Sequence, residues 1–115
     1  MEDKTLEMTM LLDFFGETLT ERQRTCCDMY YNEDLSLSEI AELTGITKQG
    51  ARDLLHRAEL ALRELEAQTG LVARYLRRRE AEQALLRTLE ELVGLTEGRA
   101  QALALDAAEQ LRRLD

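Results

Sequence analysis

The chain contains no proline and no tryptophan, and it has only two phenylalanines and three tyrosines. No stretch alternates apolar and polar residues for long, so nothing in the pattern favours a β-sheet. Alanine, leucine, glutamate and arginine dominate instead, and all of these residues favour helices. At 115 residues, the sequence predicts an all-α protein with one domain and a helical extension.

Cysteine, histidine and long apolar runs are also scarce. The only cysteines, Cys26 and Cys27, are adjacent and cannot link distant segments, which fits a reduced, cytoplasmic protein. The N-terminus does not have the pattern of a signal peptide, and no apolar run approaches the ~18 residues of a membrane span. His56 has no ligand partner at metal-binding spacing, and no nucleotide-binding loop or nucleophile elbow is present. We therefore expect a non-enzyme without a metal or other cofactor.

Residues 36–58 predict two helices joined by a tight turn, a helix-turn-helix. Ser36 and Glu39 form a capping-box pattern at the start of the first helix. Gly45 stands where the chain would leave that helix in a left-handed conformation, and Thr47 is suited to cap the second helix. The predicted apolar faces are Leu37, Ile40, Ala41 and Leu43 on the first helix and Ala51, Leu54, Leu55 and Ala58 on the second.

The outer face of the second helix is the candidate binding surface, for nucleic acid or for another partner. Arginine can bind a guanine edge and glutamine an adenine edge, whereas lysine, histidine and arginine can contact phosphates. Asp53 lies on the same face and would repel a nucleic-acid backbone. The candidate residues are Lys48, Gln49, Arg52, His56 and Arg57.

The charge distribution argues against a general nucleic-acid binder. The net charge is −8, and residues 1–60 contain 6 Lys/Arg against 13 Asp/Glu. The part of the chain that carries the helix-turn-helix is therefore the acidic part, and a polyanion repels it. This favours a surface that faces protein or RNA over one that reads DNA.

The N-terminal third predicts two further helices. Apolar residues cover most of a helix over Leu6–Phe15, which indicates packing against its neighbours or, alternatively, a contact with a second subunit. Gly16 stands at its end, and Thr20 with Gln23 forms a second capping box. The side chains of the following helix that we expect in the core are Cys27, Tyr30 and Tyr31.

Several of these motifs resemble a known group of proteins. The runs Leu19–Arg24 and Leu37–Glu42 resemble region 4 of bacterial sigma factors, which reads the −35 promoter element. Leu6–Phe15, Tyr30–Asp34 and Ile46–Asp53 are similar to the YlxM-like helix-turn-helix proteins, which look like a free-standing region 4. The resemblance covers roughly residues 4–75, and it departs from the family at Gly50 and Arg52, where alanine and an aromatic residue are more usual.

The resemblance implies a regulatory function without catalysis. YlxM-like proteins are usually encoded beside the GTPase of the bacterial signal recognition particle, and a regulatory part in protein targeting is inferred from this. The partners that it implies are this GTPase, the RNA of the particle, or both. The alternative is a transcription regulator that binds duplex DNA in a sequence-specific manner, and a structural adaptor with neither target also fits.

The C-terminal part predicts a helical extension. The second helix of the helix-turn-helix continues to about Gln68, and Gly70 offers a break, which gives a domain at 1–69 and a helical hairpin at 70–115. The hairpin turn is expected at Gly94–Gly98, and its apolar faces need a partner, which predicts packing or a homodimer. Its last helix has a predicted apolar stripe of Ala100, Leu103, Ala107, Leu111 and Leu114.

A run of three arginines is the only concentrated positive charge. It is either a solvated helix face balanced by Glu80 and Glu82, or a contact for RNA phosphates or for an acidic protein surface. Its members are Arg77, Arg78 and Arg79.

Overall fold

The computed structural model describes residues 2–114, with side chains from Leu6 onward. The described residues form six α-helices and no strand, so the predicted all-α class is confirmed. A 3-10 turn at Gly16–Thr18 and a π-helical turn at Asp28–Asn32 complete the element order. The helices are α1 (Glu2–Phe15), α2 (Glu21–Cys27), α3 (Leu37–Thr44), α4 (Lys48–Thr69), α5 (Leu71–Leu95) and α6 (Gly98–Arg112).

The chain divides into two compact units, and the division falls inside α5. The first unit extends to Val72, and the second begins at Ala73. The first unit contains α1 to α4 and the first residues of α5, and the second contains the rest of α5 and α6.

Side-chain caps fix where α2 and α3 begin, as the sequence predicts. The backbone N–H of Gln23 donates to Thr20 Oγ1 at 3.1 Å, and the N–H of Thr20 donates back to Gln23 Oε1 at 3.1 Å. Ser36 and Glu39 repeat this reciprocal pair at the start of α3, at 3.0 and 3.1 Å. Each box satisfies two of the backbone donors that a helix N-terminus leaves unpaired.

The corner between α3 and α4 also follows from local chemistry. Gly45 has φ +76°, a conformation that costs glycine little because it has no Cβ. The N–H of Gly45 donates to Ala41 O at 3.0 Å and ends α3. The Thr47 hydroxyl then accepts from the N–H of Gly50 at 2.9 Å and caps α4.

Helix α4 is the centre of the first unit, because α1, α2 and α3 all pack against it. Three residues of its predicted apolar face, Ala51, Leu55 and Ala58, are buried, and Leu54 is partly buried. Leu62 continues the buried stripe, and the helix runs on to Thr69. Fully buried side chains of this size exclude water from the contacts that hold the helices together. The other members of this core are Met8, Leu11, Leu12, Phe15, Cys26, Cys27, Ile40 and Val72.

Two expectations about the core of this unit are wrong. Leu43 is 66% exposed, because the buried face of α3 runs through Leu37, Ile40 and Ala41 and then reaches Thr44 one turn later. Tyr30 is 38% exposed instead of facing the core. The N–H of Glu33 donates to Asp28 O, five residues back, and this wider π turn shifts the side chains out of the 3.6-residue register.

The second unit is a pair of neighbouring helices. The side-chain amide of Gln101 donates to Val93 O at 3.0 Å across the α5–α6 connection, and Arg112 pairs with Glu90 at 3.3 Å. Helix α5 passes without a break through the arginine run. None of the helices in the described part of the chain is both long and apolar enough to cross a membrane.

Two details of this hairpin differ from the sequence prediction. The expected turn at Gly94–Gly98 is shorter, because α5 includes Gly94 and α6 begins at Gly98. The buried residues of α6 are Ala104 and Ala108, whereas Leu103 and Leu114 are each 56% exposed. The buried face of α6 therefore consists of small alanine side chains, and the larger leucines lie outside it.

Candidate nucleic-acid interface

The structure places the five candidate side chains on the exposed side of the first turns of α4. The buried stripe on the opposite side of this helix fixes their orientation. Whether they bind a partner stays a prediction. The exposed candidates are Lys48, Gln49, Arg52, His56 and Arg57.

The cations of this surface form no ion pairs with the described part of the chain. Among the residues that the structure describes, no carboxylate forms an ion pair with Lys48, Arg52 or Arg57. Arg63, further along α4, differs, because it contacts Glu7 at 2.8 Å and Glu59 at 3.5 Å. The first turns of α4 therefore present positive charge that no neighbouring carboxylate neutralises directly.

One carboxylate lies among these cations. Asp53 is the only acidic residue between Lys48 and Arg57, so this segment has three cationic side chains and one anion. The side-chain amide of Gln49 donates to Asp53 Oδ1 at 3.0 Å, one turn earlier on the helix. One N–H of the Gln49 amide is thus occupied by Asp53, and its second N–H and its oxygen are the groups left for an adenine edge.

Sequence reasoning did not single out Arg22, which lies beside this surface. Arg22 on α2 and Arg57 on α4 line the same open groove of about 410 Å³, with Gly50 between them in sequence. Arg22 also lines an adjacent groove with Glu21 and Thr44. The Leu19–Arg24 run carries the resemblance, but its sequence does not indicate which arginine lies beside α4. The groove lining is Thr20, Arg22, Gln23, Gly50, Asp53, Leu54 and Arg57.

The arginine run lies in the second unit, and part of it is internally paired. Arg78 Nε is 2.9 Å from Glu82 Oε1, one turn along α5. Arg79 donates to the Tyr75 hydroxyl at 3.3 Å, and its guanidinium carbon lies 5.8 Å from the centre of that ring. Arg77 is exposed. The pair with Glu82 agrees with a solvated, partly neutralised helix face, and a role in binding stays a prediction.

The two cysteines of the first unit lie in its core, and Tyr31 packs against that core. Cys26 and Cys27 are free and buried. Burial, with the nearby charges of Cys26 and Asp28, raises the pKa of Cys27 to about 12, so this thiol is protonated at neutral pH. The Tyr31 hydroxyl donates to Glu59 at 3.4 Å, and its pKa is raised by burial and by this carboxylate. No cluster with the composition of a metal site occurs among the side chains of residues 6–114.

The capped α3, the left-handed corner at Gly45 and the outward face of α4 define a helix-turn-helix protein. The chain belongs to the family UPF0122, the YlxM / p13-like helix-turn-helix proteins, whose family model matches residues 2–98. The predicted family is therefore confirmed.

Curated relatives agree with this assignment over most of their length. The chain is 40% identical to a UPF0122 protein of Thermoanaerobacter sp. strain X514, over 80% of this chain and 92% of the relative. It is 35% identical to one from Acetivibrio thermocellus, over 98% and 92% of the two chains. It is 41% identical to one from Halalkalibacterium halodurans, over 84% and 94%.

Proposed function

We propose that this protein is a non-enzymatic regulator that binds nucleic acid through the outer face of α4. The observation that supports this is the set of cationic side chains on α4 that lack ion pairs within the described residues. Phosphate contacts by lysine and arginine supply most of the affinity that is independent of sequence. The acidity of the N-terminal part lies mainly on other elements, such as Glu39 and Glu42 on α3.

The setting that we propose is the signal recognition particle pathway in the cytoplasm. This proposal follows from the resemblance to the YlxM-like proteins, which implies that the partner is the RNA or the GTPase of the particle. Exposed Lys48, Arg52 and Arg57 can contact RNA phosphates without reading a groove, because A-form RNA is recognised mainly through its shape and backbone. The acidic remainder of the unit limits binding to nucleic acids in general.

The second candidate is a transcription regulator that reads duplex DNA. It is favoured by the position of Lys48, Gln49 and Arg52 directly after the Gly45 corner, in the first turns of α4. In helix-turn-helix proteins, the N-terminal residues of the second helix contact base edges in the major groove. In this case Arg52 would bind a guanine edge, and sequence preference would depend on it.

We also propose a homodimer through the second unit. Its two helices leave large apolar side chains exposed, among them Leu85, Leu92, Leu103 and Leu105. A second copy would bury them against an identical face. Light scattering at micromolar concentration should report twice the mass of one 13.2 kDa chain, and the mass of a single chain would refute the dimer.

The first experiment is a binding titration at fixed salt with three partners. These are the particle GTPase of the same organism, its particle RNA, and a mixed-sequence DNA duplex. Binding to the RNA without binding to duplex supports the targeting regulator, whereas binding to the GTPase alone would contradict a nucleic-acid surface on α4. Binding to duplex alone, with a steep salt dependence, supports the transcription regulator instead. The variant Arg52→Gln tests whether α4 is the surface used, and Arg87→Gln on α5 is a matched exposed control.

A further inference from the structure

We infer that Arg22 and Arg57 together bind the phosphodiester backbone of the nucleic acid, in the groove between α2 and α4. This inference rests on the proposed function and adds to it a second contact surface beside the outer face of α4. The chemistry is the same for DNA and RNA, because both present phosphate oxygens that accept from guanidinium.

The position of the two arginines supports this assignment. They are 35 residues apart in sequence, yet both line one open groove whose lining includes Gly50, which has no side chain. Both side chains are exposed, and no carboxylate among the described residues pairs with either. A polyanion can therefore reach them without breaking an existing ion pair.

The groove also contains a group that opposes a phosphate. Asp53 belongs to its lining. With Arg22 and Arg57 present, the sum over the charged side chains of the lining is two positive and one negative, which is +1. The amide of Gln49 donates a hydrogen bond to this carboxylate and leaves its charge in place. The net sign still favours a phosphate group.

Contacts of this kind fix the position of a protein on nucleic acid but carry no sequence information. Loss of Arg22 should therefore weaken binding by the same factor on every sequence, on the order of tenfold at low salt. It should also reduce the salt slope of log K by about 0.9 for duplex DNA, or about 0.7 for a single strand. Between 50 and 200 mM salt, the wild type would then lose about 3.5-fold more duplex affinity than the variant.

The test compares Arg22→Gln, Arg57→Gln and Arg22→Lys with the wild type by fluorescence anisotropy over this salt range. The probes are two duplexes of different sequence and the particle RNA. Arg24→Gln is the matched control, because Arg24 is exposed on the same helix but lines neither groove. The Arg24 Nε lies toward Gly16 instead, 3.9 Å from where a Cβ on that residue would stand. Circular dichroism checks that each variant remains folded.

The expected result is a reduced slope for both glutamine variants, the wild-type slope for Arg24→Gln, and recovery of the slope in Arg22→Lys, which keeps the charge. If the wild type binds but Arg22→Gln behaves like Arg24→Gln, the groove contact is refuted while the proposed function stands. If the loss in Arg22→Gln depends on sequence, a backbone contact is also refuted. If the wild type binds none of the probes, both proposals fail. The probe that shows the reduced slope identifies the nucleic acid.

Discussion

Replacement of Gly50 by alanine sets two effects of similar size against each other. Gly50 is the third residue of α4, and an alanine in a helix interior is more stable than a glycine by about 0.8–1.0 kcal/mol. A Cβ built on Gly50 would stand 3.0 Å from Thr47 Oγ1, which is closer than ordinary van der Waals contact. The Thr47 hydroxyl would therefore have to move.

The same hydroxyl caps the helix, so its movement has a cost. It accepts from the N–H of Gly50 at 2.9 Å, and a threonine cap contributes about 1 kcal/mol, within a range of about 0.5–2. A shift of a few tenths of an ångström would weaken this bond and offset part of the gain in helix propensity. We expect the free energy of unfolding of Gly50→Ala to lie within about 0.5 kcal/mol of the wild type.

The assay is urea denaturation followed by circular dichroism, with the same substitution also made in a Thr47→Gly background. Glycine is tolerated as a cap and has no hydroxyl, so Gly50→Ala should stabilise this background by the full 0.8–1.0 kcal/mol or so. The slope of free energy against urea should not change, which makes the midpoints comparable. An equal gain of about 1 kcal/mol in both backgrounds would refute the argument, because the hydroxyl would then impose no cost.

The other predictions concern the core, a cap and the charge of α4. Leu62→Ala should lower the free energy of unfolding by about 2.7–5 kcal/mol, since Leu62 is fully buried. Leu60 is 54% exposed, and Leu60→Ala should therefore change the free energy of unfolding by less than about 0.5 kcal/mol. Equal losses for the two variants in urea denaturation would contradict this. Ser36→Ala should cost about 1 kcal/mol in the same assay, and no loss would contradict the capping box. The pKa of Glu39 is lowered by hydrogen bonds with the backbone and side chain of Ser36. The carboxylate of Glu39 therefore stabilises the fold at pH values above its unfolded pKa of about 4.3, and this stabilisation is lost as the pH falls through its lower folded pKa. The free energy of unfolding of Glu39→Ala should approach that of the wild type only at acid pH, and a difference that widens at acid pH would contradict this. Asp53→Asn should tighten nucleic-acid binding several-fold in an anisotropy titration, because one repelling charge is removed, and unchanged or weaker binding would argue against α4 as the surface.

The elements that the sequence predicts well are those whose signals are local. Thr20 with Gln23 and Ser36 with Glu39 form their hydrogen bonds within three residues, so neither depends on the tertiary fold. Gly45 ends α3 for a similarly local reason, its positive φ. The buried stripe of α4 was also predictable, because its 3.6-residue period persists over many turns.

The elements that were predicted poorly depend on information outside a short window. Tyr30 lies outside the core because a π turn changes the number of residues per turn, and no residue type in Asp28–Asn32 predicts such a turn. The proximity of Arg22 to Arg57 depends on how α2 packs against α4, and sequence spacing alone does not give it. On α6, small Ala104 and Ala108 take the buried positions instead of the larger leucines that hydrophobicity favours.

The packing of α1 against α4 has a consequence for synthesis on the ribosome. The ion pair between Glu7 and Arg63 joins residues that are 56 positions apart. At about 5–20 residues per second, α1 would wait about 3–11 s before the chain that completes its binding site has been made. During that interval Met8 and Leu11, which the folded unit buries, remain in contact with water or with a chaperone. Helix α1 is thus made before the helices that it packs against, and it is among the last parts of the first unit to reach its folded position.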